Sequence, residues 1–472
     1  MNVIELISVM APEVLLSAML VLLLLMKIFS DNLKRGTVLF IISFFFLGAT
    51  IITLILHPAG SAFGGMFVVT PLIGIEKAIL LLATFVISLL AFEWLSRYDN
   101  YLEFYLLLIS ILLGMFIMVS AGHFLSFYLG LEMATIPLAA LSAFDLEKPR
   151  SGEAGMKLIL SSAFSSGVLL MGISFIYGTC GSLYFDEVKN LFSGSTLQVA
   201  GFAFLVAGFA FKISVVPFHL WTADVYEGSP VAVTAFLSVV SKGAAVFIFM
   251  SALYNVFGAI SATWVYLLAI LAVATMIIGN LFAIRQQNIK RFLAFSSITQ
   301  AGYILIGITS GTIQGTASVV YFILVYLFSN LAAFTVVAII SEKTGKENIS
   351  DYNGLYQTNP RLSLVMMLAL FSLAGIPPTA GFFGKWFLLA AGMNTGLMTL
   401  IVIAAVNLVI SLYYYLRVVQ AMFVVKNEMP VPAIQSNNAA RLGMIICSAA
   451  IILTGFFSFV YQYIYSFSSG IQ

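Results

Sequence analysis

Four ionisable residues lie in the middle of long apolar stretches: Glu132, Lys212, Lys242 and Lys385. A charge at the centre of a bilayer costs roughly 2.5–3.5 kcal/mol on insertion scales, so a membrane protein that keeps several such charges is expected to use them. Loss of hydration can lower the pKa of a buried lysine until it releases its proton near neutral pH. The expected chemistry is therefore the movement of charge through a membrane.

Glu132 and Lys212 are predicted to form a pair whose strength changes during turnover. A closed pair keeps both groups charged, whereas an open pair favours a neutral lysine and an expelled proton. Lys242 would be the next station for the charge, and Lys385 the last. The alternatives are inert: Glu132 as a fixed counter-ion, Lys212 extending to an interface, and Lys385 anchoring a helix end beside Trp386.

Three further positions carry weaker signals. His219 follows a helix-breaking proline and is the best relay candidate, because histidine titrates near neutral pH. Lys157 is predicted at the start of an apolar segment, where it is equally consistent with a relay and with a lysine that extends to the interface. Lys77 stands beside Glu76, and the two are expected to form a neutralised pair close to an interface.

The composition places the chain in a membrane. Of its 472 residues, 61% are hydrophobic and only 8% are charged, and the mean hydropathy is +1.08. A soluble domain of this composition would expose one continuous apolar surface. The apolar runs are solid and do not alternate, which argues against a β-barrel. The predicted class is an all-α polytopic membrane protein.

About fourteen membrane spans are predicted at the length that a hydrocarbon core requires. Numbered 1 to 14, their approximate cores are residues 9–29, 37–56, 72–92, 101–121, 124–144, 157–178, 198–221, 230–256, 262–284, 292–312, 314–340, 362–395, 397–424 and 441–465. The loops are too short for a separate module, so we expect a single membrane domain over residues 1–472. Its predicted parts are 1–100 (spans 1–3), 101–256 (first repeat), 262–424 (second repeat) and 439–472 (the last span).

Spans 7 and 12 carry prolines in their middles, at Pro217 and at Pro377-Pro378. Proline removes an amide donor and clashes with the preceding turn, so both helices are expected to break. Interrupted segments in matching positions of two halves indicate an inverted-repeat transporter. Spans 4–8 and spans 9–13 would be the two five-helix repeats.

Basic residues are concentrated in alternate loops. The loops after spans 1, 3, 5, 9, 11 and 13 hold Lys34, Arg35, Arg97, Lys148, Arg150, Arg285, Lys290, Arg291, Lys343, Lys346, Arg361, Lys426 and Arg441, against Lys189 alone on the other side. The positive-inside rule places these loops in the cytoplasm and both termini on the periplasmic side. The loop after span 7 is an exception, because it holds Asp224 and Glu227 and no basic residue.

Several kinds of site are not expected on this chain. Its two cysteines, Cys180 and Cys447, have no cluster-binding spacing. We find no dinucleotide fingerprint, phosphate-binding loop, zinc-protease motif or haem-type histidine pair. No cofactor and no metal are therefore expected, and the energy for transport must come from an ion gradient or a partner.

Three stretches resemble the antiporter-like membrane subunits of respiratory complex I. They are residues 211–230 (FKISVVPFHLWTADVYEGSP), 288–298 (NIKRFLAFSSI) and 375–385 (GIPPTAGFFGK). The resemblance runs nearly end to end. DVYEGSP at 224–230 and PEVLL at 12–16 are similar to the N-type branch of that family. The departures, Ala223, Ser229 and Phe295, touch no charge.

The resemblance implies roles for matching positions. Glu132 and Lys212 would be the central pair of a proton channel, and Lys242 would connect its two halves. Lys385 would communicate with the outlet and a neighbouring subunit. Lys157 and His219 match polar positions that are associated with the proton path.

The resemblance also implies a bacterial inner-membrane complex that couples electron transfer from NADH to quinone with proton pumping. Quinone, FMN and iron–sulfur clusters would lie on partner subunits. An M-type antiporter-like subunit and small K- and J-type subunits would be neighbours, and no nucleic acid would bind. Three alternatives stay open: an Mrp-type cation/proton antiporter, a passive structural subunit and a transporter of organic solutes.

Overall fold

The computed structural model describes residues 3–29, 34–457 and 459–471, and most of these residues are helical. The long helices, in chain order, are Ala11–Phe29, Arg35–Leu56, Pro71–Leu95, Tyr101–Val119, Phe124–Ser142, Pro149–Cys180, Thr196–Ile213, Val231–Asn255, Ser261–Arg285, Ile289–Thr309, Ile313–Thr344, Met398–Phe423 and Asn438–Phe456. The shorter helices are Val3–Val9, Phe185–Leu191, Leu220–Gly228, Leu355–Thr358, Pro360–Ala374, Ala380–Met393 and Phe459–Phe467. Strands Gly60–Ala62 and Phe67–Val69 form one antiparallel hairpin.

The structure confirms the all-α polytopic class. Within the described ranges, 13 helices are long and apolar enough to cross a membrane. The remaining predicted span, span 12, is the pair Pro360–Ala374 and Ala380–Met393. Most observed bounds agree with the predicted cores to within a few residues.

Three predicted bounds were wrong. The helix of span 7 ends at Ile213 and not near residue 221. Span 6 begins at Pro149 and not near residue 157. Its first turns are polar, so hydropathy missed them, although proline suits the first turn of a helix. Span 14 ends at Phe456 and not near residue 465, and a separate helix, Phe459–Phe467, follows. Just before this end, a Cβ on Gly455 would lie 2.4 Å from the carbonyl oxygen of Pro378, so this part of the helix packs directly on the break in span 12.

The helix spacing supports the two predicted repeats. The helices of spans 4–8 begin at residues 101, 124, 149, 196 and 231, and those of spans 9–13 begin at 261, 289, 313, 360 and 398. Each start in the second series therefore follows its counterpart by 160 to 167 residues. The third helix has 32 residues in both series.

Ion pairs explain why the charged residues of the loop after span 7 are all acidic. Arg291 Nη1 lies 2.7 Å from Asp224 Oδ1 and 2.8 Å from Glu227 Oε2. Lys157 Nζ lies 2.7 Å from Asp224 Oδ2, and Arg150 contacts Glu227 at 3.6 Å. The acidic residues after span 7 therefore neutralise basic residues that lie in or next to the loops after spans 5 and 9. These three loops lie at the same face of the protein.

Candidate functional site

The two helix breaks share the same backbone geometry. The helix of span 7 ends at Ile213, and Ser214 then adopts a φ of 66°. The first half of span 12 ends at Ala374, and Gly375 adopts a φ of 84°. In both breaks, the amide of the following residue donates a hydrogen bond to the carbonyl five residues earlier. Val215 donates to Ala210 at 2.7 Å, and the residue after Gly375 donates to Phe371 at 3.0 Å. Such caps end a helix and change the direction of the chain.

Pro217 and Pro378 each lie three residues beyond these left-handed residues. The breaks therefore occur where the prolines predicted them. At the break in span 12, a Cβ on Gly381 would lie 1.7 Å from the Ser372 carbonyl oxygen. Only glycine allows the two half-helices to approach this closely.

Lys212 lies in the last turn before the first break. Its Nζ donates a hydrogen bond to Thr135 Oγ1 at 2.5 Å, and that hydroxyl donates to the Leu131 carbonyl at 2.6 Å. Beside them lies a cavity of about 20 Å³ that Ser241 also lines. A cavity of this size holds about one water molecule.

Glu132 is not ion-paired with Lys212 in this structure. Among the described residues, no ion pair involves Glu132, and its buried Oε1 has no hydrogen-bond partner. The predicted pair is therefore open, with Thr135, one turn from Glu132, in contact with the lysine.

Lys242 is 5% exposed and lies directly after a π-helical turn, Leu237–Ser241. Its Nζ donates to Ser297 Oγ at 2.6 Å and lies 5.7 Å from the centre of the Tyr226 ring. Single π turns inside α-helices are frequent at functional sites. The turn positions the Lys242 side chain towards span 10, which carries Ser297.

Lys385 is 2% exposed and caps the first half of span 12. Its Nζ donates to the carbonyl oxygens of Leu373 at 2.7 Å and Ala374 at 3.3 Å. These carbonyls end a helix and have no intrahelical partner, and the negative end of the helix dipole attracts a cation. The ring of Tyr303 lies 5.0 Å away.

Gln300 links the last two lysines and is a residue that was not predicted from the sequence. Its Nε2 donates to the Leu373 carbonyl, which also accepts from Lys385, at 3.1 Å. The side chain lines a cavity of about 10 Å³ together with Lys242 and Ser297. Its buried Oε1 has no partner among the described residues. The available signal was the spacing of Ser297 and Gln300, which puts two polar groups on one helix face.

All three lysines are held by neutral oxygens. In the described part of the chain, no carboxylate lies within 4.0 Å of Lys212, Lys242 or Lys385. A neutral amine still has N–H donors, so each of these hydrogen bonds survives the loss of a proton. The arrangement therefore allows each lysine to change its charge without breaking its contact.

The two weaker candidates lie apart from this group. Lys157 contacts Glu153 and Asp224, each at 2.7 Å, and its side chain is 42% exposed. Burial raises the pKa of Asp224, but the hydrogen bonds and charges of Lys157 and Arg291 outweigh burial and hold it below its ordinary value. His219 is 7% exposed, precedes helix Leu220–Gly228, and its Nδ1 has no partner within the described chain.

No metal-binding cluster is found in the described ranges, where no three His, Cys, Asp or Glu side chains are grouped to hold an ion. Cys180 and Cys447 are both free thiols.

Comparison with known proteins gives consistent matches. Residues 121–411 match the family described as "NADH:quinone oxidoreductase/Mrp antiporter, TM". NADH-quinone oxidoreductase subunit N of Phocaeicola vulgatus is 52% identical over 404 residues, which cover 85% of this chain and 86% of the relative. NAD(P)H-quinone oxidoreductase subunit 2 of Microcystis aeruginosa is 40% identical and covers 78% of this chain and 73% of the relative.

Solved structures are also similar. A chain of respiratory complex I from Thermus thermophilus, solved with aureothin, aligns with a TM-score of 0.79 and 29% identity over 94% of this chain and 96% of that chain. A chain of the Mrp complex from Dietzia aligns with a TM-score of 0.87 over 99% and 97%, at 20% identity. The second likeness, at this low identity, concerns the fold alone.

Proposed function

Because the chain belongs to the NADH:quinone oxidoreductase/Mrp antiporter transmembrane family, we propose that it is subunit N of an NADH-quinone oxidoreductase and translocates protons. The relatives that carry this name match most of the chain, at 52% identity in Phocaeicola vulgatus. The protein is then one multi-pass membrane subunit of a larger translocase. Quinone reduction elsewhere in the complex supplies the energy.

The observation that carries this proposal is the shared environment of Lys212, Lys242 and Lys385. Lys242 and Lys385 are buried and Lys212 is half-buried, and among the described residues each Nζ donates hydrogen bonds only to neutral oxygen atoms. A proton can therefore leave one ammonium group and enter the next amine while each Nζ keeps its hydrogen bond. Inert braces would instead be expected to face a carboxylate, because a buried charge without a partner is costly.

We propose that protons move from Lys212 to Lys242 through the two small cavities. The first cavity is lined by Lys212 and Ser241, and the second by Lys242, which follows Ser241 in the chain. One water in each cavity would accept a proton from a lysine ammonium group and donate a proton to the next group. The position of the Glu132 carboxylate sets the direction of transfer. When the carboxylate is close to Lys212 it keeps the lysine charged, and when it moves away the lysine releases its proton.

Gln300 extends the route to Lys385. Its free Oε1 can accept a hydrogen bond from a water beside Lys242, while its Nε2 holds the Leu373 carbonyl that Lys385 also contacts. An amide does not titrate in this range, so Gln300 orients the route and does not carry the proton itself. Lys385 then passes charge towards the outlet or an adjacent subunit.

Several further parts of the proposal rest on the family and on the loop charges. Partner subunits would hold the quinone, FMN and iron–sulfur clusters, and an M-type and small K- and J-type subunits would be neighbours. The face that carries Arg291 and the other basic loop residues would be cytoplasmic, with both termini periplasmic in a bacterial inner membrane. Lys157 and His219 would act near the entrance to the route.

The test is proton pumping by the assembled complex in sealed vesicles. We expect NADH oxidation to acidify the vesicle interior at the same rate with and without sodium ions. Lys212→Ala should abolish most of the acidification while the complex still assembles and reduces quinone. Pumping that requires sodium would instead favour an Mrp-type antiporter.

A further inference from the structure

A second buried charge cluster lies outside the row of lysines. Lys77 Nζ of span 3 lies 2.6 Å from Glu13 Oε1 of span 1, and these side chains are 0% and 5% exposed. The expectation that Lys77 pairs with Glu76 was wrong, because adjacent residues on a helix do not face each other. The contact is close but not aligned as a hydrogen bond, so both Glu13 oxygens and the ammonium keep unused bonding capacity.

Glu76 adds a second carboxylate to this cluster. It is 1% exposed, and its Oε1 has no hydrogen-bond partner in the described part of the chain. Glu76 directly precedes Lys77 in the helix of span 3, although no described ion pair joins its carboxylate to the ammonium. One ammonium, paired with Glu13, thus stands against two buried carboxylates, and with a charged lysine the cluster carries either a net negative charge or one bound proton. An uncompensated charge in a dry interior is costly, and a bound proton removes it.

Two aromatic rings lie beside the Lys77 ammonium. The Lys77 Nζ lies 4.9 Å from the centre of the Phe67 ring and 5.7 Å from that of Phe116. Ring faces attract a cation, and Glu13 adds its charge. These contacts favour Lys77 as the cation of the cluster, and the exchangeable proton is assigned to the carboxylates.

The cluster lies close to the row of lysines. Phe116 faces Lys77, whereas Met115 and Met118 of the same turn of span 4 line the cavity beside Lys212. Span 4 thus lies between the cluster and that cavity. Span 3 also packs on span 8, because a Cβ on Gly243 would lie 3.4 Å from the side chain of Leu80.

The charged groups that surround the cluster are few. Span 8 contributes Lys242, which follows Ser241 and precedes Gly243. Span 4 contributes Glu103, which lies at the far end of its helix and is paired with Lys27 at 2.9 Å. No other charge competes with Glu13 and Glu76 for Lys77 among the described ion pairs.

We propose that Glu13, Lys77 and Glu76 form a second proton-binding site, in which the two carboxylates hold one exchangeable proton beside a charged lysine. On uptake, a carboxylate oxygen of Glu76 forms an O–H bond with a proton from a hydronium ion, whose own O–H bond breaks and leaves a water molecule. On release, that bond breaks and its electron pair stays on the carboxylate. The exchange during turnover rests on the proposed translocation through the row of lysines.

The experiment is infrared difference spectroscopy of the whole complex, with Glu76→Gln as the test variant. Glutamine has the shape of a protonated glutamate but cannot exchange this proton. The matched control is Glu103→Gln, which removes a carboxylate from an exposed lysine pair. We expect a band of a protonated carboxyl group that shifts in heavy water and changes in intensity between resting and NADH-oxidising complex. It should be lost in Glu76→Gln and kept in Glu103→Gln.

Two results would overturn this assignment. One is a spectrum that Glu76→Gln leaves unchanged, since Glu76 would then hold no proton. The other is a band that is lost in the variant but constant during turnover, since the proton would then be structural. If Glu76→Gln fails to assemble, Glu76→Asp serves instead and should move the band without abolishing it. Loss of pumping in Lys212→Ala tests the main route separately, so failure of the second site is distinguishable from failure of the proposed function.

Discussion

The Lys212 ammonium donates its hydrogen bond to the Thr135 hydroxyl, 2.5 Å away, and not to a carboxylate. The hydroxyl proton is already used, because Thr135 donates to the Leu131 carbonyl. Thr135 therefore acts towards Lys212 as an acceptor only. It holds the amine in place in both charge states, which an ion pair would not do.

Thr135→Val should slow proton pumping by about tenfold, because it keeps the shape of the side chain and removes the acceptor that orients a proton-transfer group. The readout is the rate of vesicle acidification at a fixed rate of NADH oxidation. Thr135→Ser restores the hydroxyl and should pump at close to the normal rate. Equal rates in the valine and serine variants would show that the contact is irrelevant to transfer.

Gln300→Leu should uncouple Lys242 from Lys385, since leucine offers no group to the water-sized cavity or to the Leu373 carbonyl. We expect the proton-to-electron ratio to fall while quinone reduction continues. The control is Gln357→Leu, at an exposed glutamine far along the chain. A ratio in Gln300→Leu that matches this control would exclude Gln300 from the route.

Gly381→Ala should prevent the two halves of span 12 from meeting. The added Cβ would lie 1.7 Å from the Ser372 carbonyl oxygen, a contact that the backbone must move to relieve. Overpacking of this kind typically costs about 1–3 kcal/mol or more. A lower midpoint of thermal unfolding is expected, together with poorer assembly.

The matched control for this variant is Gly167→Ala. Gly167 is also helical, but a Cβ there would meet nothing within 4 Å. Alanine is favoured over glycine in a helix by roughly 1 kcal/mol, so this variant should be neutral or slightly more stable. Equal stability of the two variants would contradict the close approach at Gly381.

Asp224→Asn should make the protein less sensitive to acid. The pKa of Asp224 is held below its ordinary value of 3.8 by Lys157 and Arg291 in spite of burial. Its ion pairs are therefore fully present above that pH and are lost as the pH falls below it. Partly exposed pairs contribute only about 0.2–1 kcal/mol each, so the expected effect is small.

The measurement is the midpoint of thermal unfolding in detergent between pH 6 and pH 3. The wild-type midpoint should fall more steeply than that of Asp224→Asn as the pH approaches 3. Asp186→Asn, at an exposed aspartate, should follow the wild type. A wild-type curve parallel to that of Asp224→Asn would show that these ion pairs add no acid-sensitive stability.

The span positions and both breaks could be predicted from the sequence, because they depend on local properties. Hydropathy measures burial in the bilayer directly, and Pro217 and Pro378 act on the turn that contains them. The observed helix ends at Ile213 and Ala374 agree with that reasoning. Polar extensions of a helix, such as the turns that begin at Pro149, are not detected by a hydropathy average.

The contacts of the buried charges could not be predicted, because they depend on how distant helices pack. Thr135 lies 77 residues from Lys212 along the chain, and Glu13 lies 64 residues from Lys77. A lone sequence gives no measure of those pairings. Opposite charge alone predicted Glu132 as the partner of Lys212 and Glu76 as the partner of Lys77. The observed partners are the hydroxyl of Thr135 and the more distant Glu13.

The central claim is that the buried lysines carry protons, and the most direct test is the proton-to-electron ratio of the assembled complex with Lys242→Met. Methionine fills a similar volume without a titratable group, and Lys242 has no carboxylate partner among the described residues to be left unpaired. Lys148→Met, at a lysine whose side chain is 69% exposed, is the control. We predict a clearly reduced ratio in Lys242→Met, in Lys212→Ala and in Glu132→Ala, with the control unchanged. A near-normal ratio in all three variants would contradict the account.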